Sequence, residues 1–410
     1  MIDPSDLDRN RRSFLKLLAA GGGALLLPRS LRAAVPLDPK SPDAPRLLVV
    51  FQRGACDGAS ILVPWSSDDY HRLRPNTAIA RPDPADPKAS DLLDDSWSLH
   101  PALRESMLPL WRRKELAFVP FAGTDDLSRS HFETQERIEE GIGPDIELGG
   151  ANGWLSRLVG LLDPTSGISF TADLPTICSG GADIPNLPLH EVPKDPFDPR
   201  QSDLLASLYK GDPLEGVVKS GLKTRDDIAK MFVDEMQAAS GRAISSAGFE
   251  QEARRMGSLL RKRYRVGFVD VGGWDTHVNQ GAAQGQLANL LGNLGRGLSA
   301  LRAELDDAWP RTLVVVLTEF GRTFRENGNR GTDHGHGSVM WFLGGSIQGG
   351  RIHGRQQRVA EGTLFQNRDF PILNEYRSVL GSVLGRHFRM DRAAVEKVFP
   401  GSSQDGSVEI

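Results

Sequence analysis

Cysteine is nearly absent from this chain: Cys56 and Cys178 are the only two in 410 residues. That excludes a disulfide framework, although two thiols can pair in an oxidising compartment. Long apolar runs are lacking too. Beyond the N-terminal segment none reaches the ~20 residues of a spanning helix, so no stable membrane span is expected. There is no excess of basic residues, with 49 Lys and Arg against 53 Asp and Glu, and no basic stripe. A nucleic-acid partner is therefore not expected.

What is present begins with the N-terminus. Arg11-Arg12-Ser13-Phe14-Leu15-Lys16 precedes a short, glycine-diluted apolar stretch and small residues at Ala33-Ala34. Paired arginines, a weakly apolar core and a small-residue cleavage region describe a bacterial twin-arginine export signal over residues 1–34. A periplasmic or secreted location follows, with the twin-arginine translocase as a transient partner. Cleavage removes six basic and three acidic residues and moves the net charge from −4 to −7. The rest is long enough for one large α/β domain with an insertion, placed at 45–400.

Apolar runs at 46–52, 116–120, 266–271, 313–317 and 338–343 read as buried strands. Helical spacing is expected at 100–113, 131–140, 224–239, 249–264, 284–306 and 376–387. Strands alternating with helices predict βαβ units and a parallel sheet. The stretch 185–216, rich in proline, aspartate and glycine, reads as an irregular excursion.

Acids and imidazoles follow three of these strands, where open α/β sheets place their ligands. After the first strand comes Arg53-Gly54-Ala55-Cys56-Asp57-Gly58. Asp57 is read as a metal ligand, an Asx turn being the other role open to Asp-Gly. After 266–271 comes Gly272-Gly273-Trp274-Asp275-Thr276-His277. Asp275 and His277, two apart on an extended segment, point to one side and can share a metal. Trp274 is assigned to packing. After 313–317 come Glu319, next to Gly321-Arg322, and then Asp333-His334-Gly335-His336. Two histidines around a glycine can present two nitrogens, with Asp333 as a ligand or as partner to an imidazole. Arg322 can pair with Glu319 or clamp an anion. Mixed imidazole and carboxylate suit zinc, manganese or iron; calcium is carried as a further alternative.

A nucleophile has to lie elsewhere. Ser130 and Glu133 have the spacing of a capping box at a helix start. That helix end also concentrates N–H groups where an anion binds, so Ser130 is either a cap, a nucleophile, or both.

These motifs, with Ser130-His131-Phe132, Gly153-Trp154-Leu155 and Thr318-Glu319-Phe320-Gly321-Arg322-Thr323, resemble the domain-of-unknown-function 1501 family of twin-arginine-exported proteins. That family is grouped with the alkaline phosphatase and sulfatase superfamily. The resemblance implies a three-layer α/β/α sandwich with a mostly parallel central sheet. It also implies ligands in chain order, met here by Asp57, the nucleophile Ser130, Asp275 with His277, Glu319, and His334 or His336. Glu319-Phe320 stands where an Asp-His pair is usual, and Asp275 and His277 are closer together than in phosphatases. Two functions follow as expectations. One is a metal-dependent hydrolase of phosphate or sulfate esters, small or polymeric, with Arg53 or Arg322 holding the anion. The other is a non-catalytic, metal-stabilised envelope binding protein of the same fold.

Overall fold

The strand Arg46–Gln52 (β1) is buried at every position, and its alternate side chains divide between two cores. Leu48 and Val50 point into one, Leu47, Val49 and Phe51 into the other. A strand covered on both faces reads as a continuous apolar run, as this one does. The computed structural model describes residues 43–149, 152–189, 199–223, 249–403 and 408–410. The export segment 1–34 and the helix expected at 224–239 lie outside these residues.

The strands that complete the sheet are Leu116–Gly123 (β2), Gly167–Ser169 (β3), Val266–Val271 (β4), Thr312–Thr318 (β5), Ser338–Gly344 (β6), Arg351–Ile352 (β7) and Asn374–Glu375 (β8). Their order is β7-β2-β6-β5-β1-β4-β3, with β8 also paired to β2. β1 runs parallel to β4 and β5, whereas β6 is antiparallel to both β2 and β5. The mostly parallel α/β sheet is thus as expected, with one reversed strand. The reversal has a geometric reason. A parallel return from β5 would need a crossover to the opposite end of the strands, but the 319–337 connection stays at the carboxyl end of β5 and enters β6 from there.

Helices Phe249–Lys262 (α3) and Gln286–Leu305 (α4) bury Met256, Leu260, Leu291, Leu294 and Leu298 in the first core. Trp154–Leu162 (α2), Tyr376–His387 (α5) and Arg392–Val398 (α6) contribute Trp154, Leu158, Leu380 and Val398 to the second, together with Ile138 of His131–Glu140 (α1). Cys56 lies in the first core and Cys178 in the second. Both are free thiols.

Three expectations change. The helix placed at 100–113 is a 3₁₀ turn at Pro101–Leu103 followed by Leu108–Arg112. Pro109 cannot donate to a preceding carbonyl and is tolerated only in a first turn. β2 continues past Pro120, where the ladder shifts register, as a proline at a bulge allows. Inside the irregular excursion lies a helix, Pro199–Leu208. No helix among the described residues is long and apolar enough to cross a membrane.

Candidate metal centre

Three backbone segments meet at the carboxyl end of β1, β4 and β5, and glycine lets them meet closely. Gly54, directly after β1, has φ +118°, and a Cβ there would lie 2.7 Å from the Asp275 nitrogen. Only glycine combines that torsion with that approach. The 319–337 loop is tied to itself by Gly321 N–H to the His336 carbonyl (2.7 Å) and Gly335 N–H to the Gly321 carbonyl (2.8 Å). An isolated bridge pairs Arg322 with His334. Trp274 is fully buried and donates to the Val271 carbonyl, the packing role expected of it.

The fourth contribution comes from the start of α1. Arg129 is held at φ +51°, a left-handed conformation that a non-glycine residue adopts at a cost of order 1–3 kcal/mol. Its carbonyl accepts from His334 Nδ1 at 3.1 Å. Ser130 is extended, and His131 opens the helix.

From these segments His131 and His277 each turn Nε2 toward His334 Nε2. His334 Nε2 lies 3.0 Å from His131 Nε2 and 3.1 Å from His277 Nε2. Asp275 Oδ1 is 3.0 Å from His277 Nε2 and 3.3 Å from His334 Nε2. Ligand atoms of His131, Asp275 and His334 lie within 4.8 Å of one another. The opposite nitrogen of each ring meets an acceptor. His131 Nδ1 faces Glu319 Oε1 (2.8 Å), His277 Nδ1 faces Asp333 Oδ1 (3.2 Å) and His334 Nδ1 faces the Arg129 carbonyl. Carboxylates and carbonyls only accept, so each Nδ1 donates. A neutral imidazole then carries a lone pair on Nε2, and the lone pairs of His131 and His277 each face that of His334, with Asp275 Oδ1 beside them. A shared cation satisfies all of them together, and the acceptors behind the rings are those that fix metal-binding histidines.

The electrostatics favour a cation as well. Burial works to raise the Asp275 carboxyl, but the Arg322 guanidinium at 2.6 Å holds it below its ordinary range. Glu319 is held low against burial by donors from His131 and Gln135. The Asn327 amide, 2.9 Å away, holds Asp333 low. Burial and the neighbouring His131 depress His334, whereas the hydrogen bond that His131 donates to Glu319 raises His131. Side-chain exposure of 26% for His131, 38% for His277 and 27% for His334 leaves the centre open to solvent.

Asp275, His277 and His334, expected as ligands, are therefore brought together. Glu319 and Asp333 are one bond removed: they accept from the imidazoles and set the rings. Asp57 is not in the group. Its oxygens are occupied by Arg74 Nη1 and Nη2 (2.6 and 3.0 Å), Ser60 Oγ (2.7 Å) and Gln280 Nε2 (2.8 Å), and it is 1% exposed. From Gln280 a buried chain continues through Thr332 Oγ1 (2.8 Å) to Arg322 Nε (3.2 Å), so Asp57 supports the centre at a distance. His336 stacks on Phe365 instead, ring centroids 4.9 Å apart. Neither arginine expected to hold an anion is uncommitted. Arg322 pairs with Asp275, and Arg53 pairs with Asp270 (2.6 Å) and Glu139 (2.8 Å). The Ser130 side chain makes no capping hydrogen bond, so the expected capping box with Glu133 does not form. His131 was missed as a ligand. Its signal is a histidine opening a helix past the end of a strand, hidden behind the serine before it.

The sequence model of the family described as Protein of unknown function (DUF1501) matches residues 194–399, and the chain belongs to that family. The matched stretch carries Asp275, His277, Glu319, Arg322, Asp333 and His334, while His131 lies before it. No curated protein matches the chain.

Proposed function

We propose that this DUF1501 protein is an exported, metal-dependent hydrolase of phosphate or sulfate esters, built as a three-layer α/β/α sandwich of the alkaline-phosphatase kind. The observation that carries the metal reading is the cluster of His131, Asp275 and His334, whose ligand atoms lie within 4.8 Å of one another, with each imidazole Nδ1 committed to an acceptor. His131, Asp275 and His334 would hold the ion, with His277 beside them. Nitrogen donors suit zinc, and also manganese or iron, whereas calcium takes oxygen ligands. A bound divalent ion would supply Lewis acidity toward an ester oxygen.

This chain's own residues would do the rest. The imidazoles hold their lone pairs inward because Glu319, Asp333 and the Arg129 carbonyl hold their protons outward. Arg322 keeps Asp275 ionised. Ser130 stands before the first turn of α1, where N–H groups and the helix dipole favour an anion. Its hydroxyl is not engaged as a cap, which leaves it available as the nucleophile. The partial exposure of the histidines supports an accessible, catalytic type of centre over a closed structural one.

A second reading, a non-catalytic metal-stabilised envelope protein, is favoured by one observation: Arg53 and Arg322 are already paired with carboxylates. Metal content of the purified exported protein, with anomalous scattering to place the ion, tests the shared premise. A panel of aryl phosphates and aryl sulfates separates the two readings. One ion per chain and turnover abolished by Ser130→Ala are expected for the hydrolase. A metal-loaded wild type inactive across the panel would leave the binding protein.

A further inference from the structure

We propose that Asp369 is a positioning residue for the metal centre: it fastens two arginines, Arg129 and Arg368, which hold His334 at its ring and at its backbone. The effect of this clamp on metal affinity rests on the metal-centre reading above, whereas the clamp itself is a matter of geometry.

Asp369 closes a turn that is tied to the loop between β5 and β6 on both sides. Phe365 and Asp369 exchange backbone hydrogen bonds of 2.8 and 3.1 Å. Phe324 N–H donates to the Arg368 carbonyl (2.9 Å), and Gly337 N–H donates to the Phe370 carbonyl (2.8 Å). The Asp369 side chain has no exposure. Its Oδ2 accepts from Arg129 Nη2 (2.8 Å) and from Arg368 Nη1 (2.9 Å), and Arg368 Nη1 also reaches Oδ1 (3.1 Å). Bonds between ionised partners are shorter and stronger than neutral ones.

Each arginine acts on His334 in its own way. Arg368 Nη2 donates to the His334 main-chain carbonyl at 2.8 Å. Arg129 acts through its backbone, whose carbonyl accepts from His334 Nδ1 at 3.1 Å. That carbonyl is aimed by the left-handed torsion of Arg129, φ +51°. A residue with a Cβ stays in this region only while its surroundings hold it there. The anchor to Asp369, with Gln366 Oε1 at 3.2 Å from the same Nη2, supplies that hold. While Nδ1 stays on the carbonyl, Nε2 of His334 faces His131 and Asp275. Loss of the anchor frees the ring to turn. The hydrogen bonds of the Asp369 side chain go to arginines and to no ligand side chain, so its action on the centre is indirect.

The test compares zinc dissociation constants of folded wild type, Asp369→Ala, Arg129→Ala and Arg129→Gly. Visible spectra of the cobalt(II)-substituted proteins serve as the signature of the ligand set. Asp369→Ala and Arg129→Ala should each weaken zinc by about ten- to a hundredfold and alter the cobalt bands. The Arg129 variants keep the pair between Arg368 and Asp369, so they decide the matter if Asp369→Ala does not fold. Arg129→Gly reaches the left-handed torsion without steric cost; it should lose less affinity than Arg129→Ala and keep bands closer to wild type. Arg129→Ala that binds zinc as tightly as wild type, or Arg129→Gly that binds no better than Arg129→Ala, overturns the clamp. So does a metal-free crystal of Arg129→Ala in which the residue-129 carbonyl still faces His334 Nδ1. Wild type that binds no zinc overturns the metal-centre reading alone, because the metal-free crystals still decide the clamp.

Discussion

Replacing Asp57 by asparagine separates a buried support from a metal ligand. The carboxylate meets four donors on two oxygens: both terminal nitrogens of Arg74, the Ser60 hydroxyl and the Gln280 amide. Arg74 has no side-chain exposure. Asparagine keeps the shape but removes the charge and turns an NH₂ toward a donor. Breaking a buried ion pair from one side costs about 3–5 kcal/mol, because the other charge stays buried without its counterion. That is a large part of the roughly 5–15 kcal/mol of a typical domain, so the urea midpoint should fall clearly. Zinc at a hundredfold above its dissociation constant should stabilise wild type by about 2.7 kcal/mol. If Asp57 is not a ligand, it should stabilise Asp57→Asn by the same amount, and the two unfolding curves should move in parallel. There is a pH signature too. Burial pushes this carboxyl up, but the Arg74 pair outweighs it and holds the carboxyl below its ordinary value. Its contribution is therefore complete above the unfolded carboxyl range, near pH 4, and is lost as the pH falls through the folded value. The asparagine variant should lack that share of the acid sensitivity. The reasoning is refuted if Asp57→Asn keeps its midpoint without metal but loses the zinc-induced gain.

Further outcomes follow from the same geometry. His131→Ala, His277→Ala and His334→Ala should each lower bound zinc measured by elemental analysis, while His336→Ala, remote from the convergence, should not. Ser130→Ala should change stability by less than the ~1 kcal/mol of a working cap, since no cap bond is present to lose; a chemical denaturation curve checks this. Burial raises both thiols, so a thiol reagent should label neither cysteine in native protein and both after denaturation without reductant. Replacing Arg11 and Arg12 by lysine should leave precursor in the cytoplasm, which fractionation and blotting would detect.

The apolar runs at β1, β4, β5 and β6 were legible because strands covered on both faces leave an unbroken signature. The direction of β6 was not, since Ser338–Gly344 carries the same residues whichever way it runs. Asp275, His277 and His334 could be named because they follow strand ends among glycines. The roles of Glu319 and Asp57 were decided by partners far along the chain, His131 for one and Arg74 for the other. A carboxylate after a strand looks the same whether it faces a cation, an imidazole or a guanidinium. The ion pairs of Arg53 were not legible for that reason: its partners Asp270 and Glu139 are distant in sequence. Ser130 met the pattern of a cap, yet a pattern does not fix the torsion of a hydroxyl.

The reversed strand has a consequence for local opening. The segment between β5 and β6 enters and leaves at one end of the strands, and its amides are spoken for: Gly321, Thr323, Gly335 and Gly337 all donate to backbone carbonyls. Although it has the composition of a loop, it is secured like sheet. Solvent exchange at those four amides should be slow and should track the unfolding of the central strands, in contrast to ordinary surface connections, which open almost freely. His334, which would help to hold an ion, is then no more mobile than the framework on which it stands.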